Sequence, residues 1–128
     1  MFSRVQQGTI LTAIKANSLE LALYSTDPTA SDSGVEISGG SYARQAVTFG
    51  ANTVVSGGTQ IANTNLITFP QASADWTGTV AYWGVRIVGG SLVGYGQITS
   101  GGTPTTRVVR SGDTYQQAIG SVILKVTD

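Results

Sequence analysis

Four glycine pairs, Gly39-Gly40, Gly57-Gly58, Gly89-Gly90 and Gly101-Gly102, cut most of this 128-residue chain into short segments. Adjacent glycines supply the positive φ angles of two-residue hairpin turns, so this punctuation directs the chain towards antiparallel strands. One hairpin is predicted from Thr53–Ser56 and Thr59–Ile61 around Gly57-Gly58, and a second from Gly78–Val88 and Ser91–Ile98 around Gly89-Gly90. In the long strand Val80, Tyr82, Gly84, Arg86 and Val88 alternate with Thr79, Ala81, Trp83, Val85 and Ile87. Both sets are largely apolar, which predicts cover on both faces, with Arg86 at a rim or paired to an acid.

Further strands are read at Ser18–Ser25, where Leu19, Leu21 and Leu23 share a face, and at Leu66–Phe69, Thr106–Val109 and Gly120–Val126. About eight strands with turn signals between them predict an all-β protein, an antiparallel β-sandwich of jelly-roll-like or immunoglobulin-like order. The Cys–Trp–Cys framework of a true immunoglobulin domain is absent, since the chain has no cysteine. The only helix predicted is short and N-terminal, at Val5–Lys15. Ile10, Leu11 and Ile14 form its apolar face and Val5 extends it. Two regions are therefore expected: residues 1–17, a helical segment that caps the sandwich or acts as an attachment arm on a neighbouring subunit, and residues 18–128, the sandwich domain.

Between the first strand and Gly39-Gly40 lies a long loop, Thr26 to Ser41, carrying Asp27, Asp32 and Glu36. Loops of this length in compact domains tend to carry function. Hard cations take carboxylate oxygens, but the spacing of these acids matches no cation-binding loop, and neither metal nor cofactor is assigned. After the glycines comes an alternating segment led by Tyr42 and Arg44, a loop-to-strand corner in which Arg44 is expected to hold the loop through Glu36. Ala74-Asp75-Trp76 reads as a second corner, with Trp76 partly exposed. Trp76, Trp83, Tyr82, Tyr95 and Tyr115 would form a stacking platform for a glycan if several were exposed; the alternative for Trp83 and its neighbours is the core.

Chemistry is sharply limited by what is missing. Without histidine or cysteine the commonest general base and the thiolate ligands are gone, and each acid available for a carboxylate pair sits at a predicted turn. No enzyme is expected. Charged residues are 11% of the chain and cancel, seven against seven, which leaves no electrostatic footprint for nucleic acid or an anionic membrane.

The stretch LALYSTDPTASDSGVEISGGSYARQAVTF at 21–49, followed in order by Ile67-Thr68-Phe69-Pro70, Ala74-Asp75-Trp76 and Ser111-Gly112-Asp113-Thr114, resembles a family of small bacteriophage virion proteins commonly labelled phage tail fibre proteins. The resemblance runs from Ser18 to the C-terminus. It implies a non-enzymatic structural protein at the surface of the phage particle, assembled in the host cytoplasm and bound to other phage structural proteins, the major capsid protein or tail proteins. A single domain without heptads is not a fibre shaft, so a capsid decoration or cement protein is the favoured placement. The alternative is a tail- or fibre-associated protein with a host-receptor or glycan-binding role. Sandwich edges need cover, so a homo-oligomer is expected, a trimer among the arrangements considered. The interaction candidates are Glu36, Tyr42, Arg44 and Trp76 at the two corners, and Ile10, Leu11 and Ile14 on the helix.

Overall fold

Leu19, Leu21 and Leu23 do share one buried face, on a strand that runs Leu19–Tyr24 (β1). The computed structural model describes residues 2–128, so residue 1 of the N-terminal segment lies outside it. β1 pairs along its whole length with Tyr82–Ile87 (β6), Leu21 opposite Val85 and Leu23 opposite Trp83. Gln45–Ala46 (β2) adds to the other edge of β1, and Leu92–Gln97 (β7) to the other edge of β6, giving a four-stranded sheet.

A second sheet pairs Ile123–Thr127 with Gly58–Ala62, and that strand with Thr53–Val55, so the hairpin predicted around Gly57-Gly58 is present. In chain order these are β3 (Thr53–Val55), β4 (Gly58–Ala62) and β11 (Ile123–Thr127). Two further ladders are only two residues long: Ile67–Thr68 (β5) with Gln116–Gln117 (β10), and Thr99–Ser100 (β8) with Thr103–Pro104 (β9). All pairings are antiparallel.

The predicted sandwich of about eight strands is thus replaced by a mostly β fold built from several small antiparallel sheets, with no single closed eight-stranded sandwich among the described residues. The physical reason is visible where predicted strands dissolve. The segment after the loop cannot form a ladder at its start, because Gly39, Gly40 and Ser41 all have positive φ (78°, 53° and 66°). It then pairs only at Gln45–Ala46 and through an isolated bridge from Phe49 to Asn63. Thr106–Val109 is not a strand either. Arg107 exchanges backbone bonds with Val80, while the Val109 carbonyl accepts from the Trp76 amide, so its partners lie on either side of the turn at Gly78. The β8–β9 hairpin at Gly101-Gly102 and strand β10 were not anticipated.

The two larger sheets share one core of Leu21, Leu23, Val85, Ile61 and Leu124, joined by Val122 just ahead of β11. Close approach at β7 depends on Gly96, where a β-carbon would overlap the indole of Trp83. Trp83 is buried there, as one of its two readings required.

The helix runs Arg4–Lys15 (α1), its first turn closed by the Ser3 hydroxyl, which accepts from the Gln6 amide at 3.2 Å. Leu11 is buried against this chain's own β4 and β11, with Ile10 and Ile14 half-buried beside it. Val5 does not extend the stripe and is 76% exposed. At about 100° per residue it falls roughly 120° from Leu11, whereas Gln7 falls within about 40° and takes the inward place. Gln7 tolerates full burial because its amide is satisfied. Its nitrogen donates to the Phe2 carbonyl (2.9 Å) and to Asp128 (2.7 Å), and its oxygen accepts from the Thr59 hydroxyl (2.7 Å). Arg4 adds bonds to Asp128 and to the Val55 and Gly58 carbonyls. Neither this helix nor any other part of the described residues is a helix long and apolar enough to cross a membrane.

Leu11→Ala is expected to cost about 2–5 kcal/mol of stability in urea unfolding, while Val5→Ala stays within about 0.5 kcal/mol. Equal effects of the two changes would contradict the burial of one face of α1.

Candidate functional site

The long loop leaves β1 at Ser25 and returns along the strand's own edge. The Ser25 amide donates to the Val35 carbonyl and the Ile37 amide to the Leu23 carbonyl, both at 2.9 Å. Further along the same edge β2 pairs with Glu20 and Leu21. Between these two stretches the chain swings away through Gly39, Gly40 and Ser41, and the amide of Leu23 has no strand opposite it. The hydroxyl of Tyr42 fills that gap, accepting from the Leu23 amide at 2.9 Å. It donates in turn to Glu36 at 2.7 Å.

Arg44 closes the corner. Its Nε and Nη2 reach the two oxygens of Glu36 at 2.9 and 2.7 Å, a bidentate pair, and Nη1 reaches Glu20 on β1 at 3.1 Å. Burial alone would raise the Glu36 carboxyl, but the Arg44 guanidinium and the Tyr42 hydroxyl outweigh it and hold the group below its ordinary value. The Tyr42 hydroxyl is pushed well up, by burial first and by Glu36 second, so it remains a donor.

The ring of Tyr42 anchors the corner to the interior. It stacks on Phe69 (centroids 6.0 Å apart, planes at 10°) and meets Trp76 edge-on at 5.2 Å. Trp76 and Phe69 each also contact Tyr115. Trp76 is only 5% exposed, which corrects the expectation of a partly exposed side chain. Its indole N–H donates to the Gly40 carbonyl at 3.2 Å, so its polar end is satisfied inside the corner. Gly40 must be glycine, because its φ is positive and a β-carbon would overlap the Ala74 carbonyl.

A second clamp holds the middle of the loop. Arg86 sits on the sheet face that also carries Glu20 and binds Asp32 bidentately at 2.7 and 2.8 Å. The same guanidinium donates to the Tyr24 hydroxyl at 3.0 Å, while its Nε is buried without a partner among the described residues. The hydrogen bond from Arg86 holds Asp32 below its ordinary value. Asp27 accepts from the Thr29 amide. The three loop acids are therefore engaged separately, and among the described residues no group of three acids, histidines or cysteines converges as a metal site.

The aromatic platform considered for a glycan is not assembled. Trp76, Trp83 and Tyr115 are buried, Tyr82 is half-buried, and only Tyr95 is exposed. Ile10 and Ile14 instead line an apolar groove of about 370 Å³ between α1, β7 and β11. A more polar recess of similar volume lies between Thr99, Arg107 and β10. The sequence reading passed over it, because its residues come together only through the β5–β10 pairing and the Arg107–Val80 bridge.

Two depressed carboxyls give a signed pH dependence. Their contribution to stability is fully present above their ordinary values, 4.5 for Glu36 and 3.8 for Asp32, and is lost as the pH falls through the lowered folded-state values. Urea midpoints measured from pH 6 downwards should fall more shallowly below about pH 4.5 in Glu36→Gln than in the unmodified chain. Identical slopes would mean that the Glu36 clamp carries no pH-linked stability.

The corner, the loop and nearly all of both larger sheets lie within one family match. No curated protein matches the sequence. Residues 5–125 match the family described as Podophage GP4 fiber I protein gp80, nearly the whole chain. That description favours the fibre alternative over the capsid decoration expected from shape. The chain belongs to this gp80 fibre family and is a non-enzymatic structural protein of the phage particle.

Proposed function

We propose that the chain is a fibre-associated component of the virion that presents its loops to the host surface. The observation that carries this reading is the extent of the family match, residues 5–125, which takes in nearly all of α1 and of the four sheets, and both clamps. The fold supports a knob and not a shaft, since among the described residues the single helix has 12 residues and there is no heptad seam. Two bidentate clamps fix a long surface loop, which is the kind of rigid presentation a contact surface needs.

Attachment to the rest of the particle is assigned to the outer side of α1 and its surroundings. Phe2 and Val5 are 54% and 76% exposed there, and Val54 on β3 is 64% exposed. Exposed apolar side chains on a charge-poor surface suit burial against another structural protein or another copy of this chain.

Quantitative mass spectrometry of purified particles, with the major capsid protein as reference, tests the placement. A fibre component is expected at a handful of copies, in multiples set by fibre symmetry. Hundreds of copies would contradict it and restore the decoration of the capsid lattice.

A further inference from the structure

We infer that the recess between the β8–β9 hairpin and β10 is a binding site for a carboxylate-bearing sugar. It has a volume of about 370 Å³ and is lined by Thr99, Arg107, Thr114, Tyr115, Gln117 and Ser121, among others. That volume lies within the range of small-ligand sites, about 300–1,000 Å³. The lining differs in kind from the groove beside α1, where Ile10, Ile14 and Val93 dominate. Hydroxyls, amides and one guanidinium meet here, the groups that recognise a polyhydroxylated ring.

Arg107 is what selects an acid. Arg4, Arg44 and Arg86 are each paired with a carboxylate of this chain. Among the described residues Arg107 makes no ion pair, and its side chain donates no hydrogen bond, although its backbone is held by two bonds to Val80 at 2.8 Å. The acids of the neighbouring turn are engaged elsewhere, Asp113 by the Arg110 amide and Asp75 by the Ser111 amide. An unpaired, planar guanidinium on a backbone held in place is the natural partner of a carboxylate. Phosphate sites usually gather several cations or a helix N-terminus, and among the described residues no second cation lines this recess.

The floor is already organised. The Tyr115 hydroxyl donates to the Gln117 side-chain oxygen at 2.9 Å, the Gln117 nitrogen donates to Ser121 at 2.9 Å, and Ser121 donates to the Ala118 carbonyl at 2.6 Å. This directed chain fixes the orientation of the Gln117 amide and leaves acceptor capacity on the phenolic oxygen for a sugar hydroxyl. Burial pushes the Tyr115 hydroxyl up to about 12, against the opposing charge of Arg107, so it stays a donor at neutral pH. Thr99 and Thr114 are exposed at the rim with hydroxyls that have no partner among the described residues.

This site deepens the host-facing reading, on which its biological role rests, but binding itself is a property of the isolated chain. The full chain is titrated with sodium glucuronate and followed by amide NMR, with glucose and glycerol phosphate as comparison probes. Glucuronate should give saturable shifts centred on Thr99, Arg107, Thr114 and Gln117. Glucose should bind roughly tenfold more weakly, as should glucuronate to Arg107→Ala, since each lacks one charge-assisted pair. If Arg107→Ala disturbs the fold, Thr114→Val at the exposed rim should weaken binding with the rest of the spectrum unchanged. No saturable shift, shifts centred elsewhere, equal binding of glucose, or a stronger response to glycerol phosphate would each overturn the assignment. Any of those results leaves the fibre placement standing, because copy number decides that; a capsid placement would likewise leave binding by the isolated chain unchanged.

Discussion

The hydrogen bond from the Leu23 amide to the Tyr42 hydroxyl stands at the point where this fold would otherwise come apart. β1 is the spine of the four-stranded sheet, and one of its edges is covered by two separate pieces of chain, residues 35–37 and β2. The excursion between them leaves a backbone donor without a ladder partner. A buried donor left unpaired costs about 1–3 kcal/mol, so the gap needs a substitute acceptor. A phenol can reach across where a backbone carbonyl cannot, and its ring buries apolar surface in the same move.

From that bond the rest of the corner follows. The phenol needs an acceptor for its own proton, which Glu36 provides, and a half-buried Glu36 needs a counter-charge, which Arg44 provides. Arg44 reaches on to Glu20, so the corner is tied back to β1 at a second point. On the inner side the Tyr42 ring is held by Phe69 and Trp76, and Trp76 locks the carbonyl of the Gly40 turn that started the excursion. Loop, corner and aromatic cluster are thus joined by one continuous set of contacts.

How much of this was legible in the sequence depended on how local the cause was. The Glu36 and Arg44 pairing could be anticipated because the residues lie close in the chain on either side of a glycine turn. α1 and the hairpins at Gly57-Gly58 and Gly89-Gly90 were readable from periodicity and turn chemistry. Trp76 was misjudged because a neighbouring aspartate and a turn signal exposure, whereas its burial is set by Phe69 together with Tyr42 and Tyr115, the last two distant in sequence. Gln7 was overlooked as an inward residue because its place depends on Thr59 and Asp128. The continuous sandwich failed for a similar reason. Alternation at 44–49 and 106–109 looked like strand, but the positive-φ turn at 39–41 ahead of the first and the split partners of the second leave only short pairings there. The Arg107 recess is wholly non-local, joining residues from β8, β10 and the segment that bridges to Val80.

The family match gives a non-enzymatic structural protein of the phage particle, and its fold is organised around one edge of one strand. Native-state hydrogen exchange of the Leu23 amide in Tyr42→Phe, read against the amide of Val85 in the same core, tests that organisation most directly. The account predicts that both amides exchange at the rate of global unfolding in the unmodified chain, and that Leu23 alone becomes fast in the variant. Leu23 keeping pace with Val85 in the variant would show that the edge of β1 is closed without the tyrosine hydroxyl and would contradict the account.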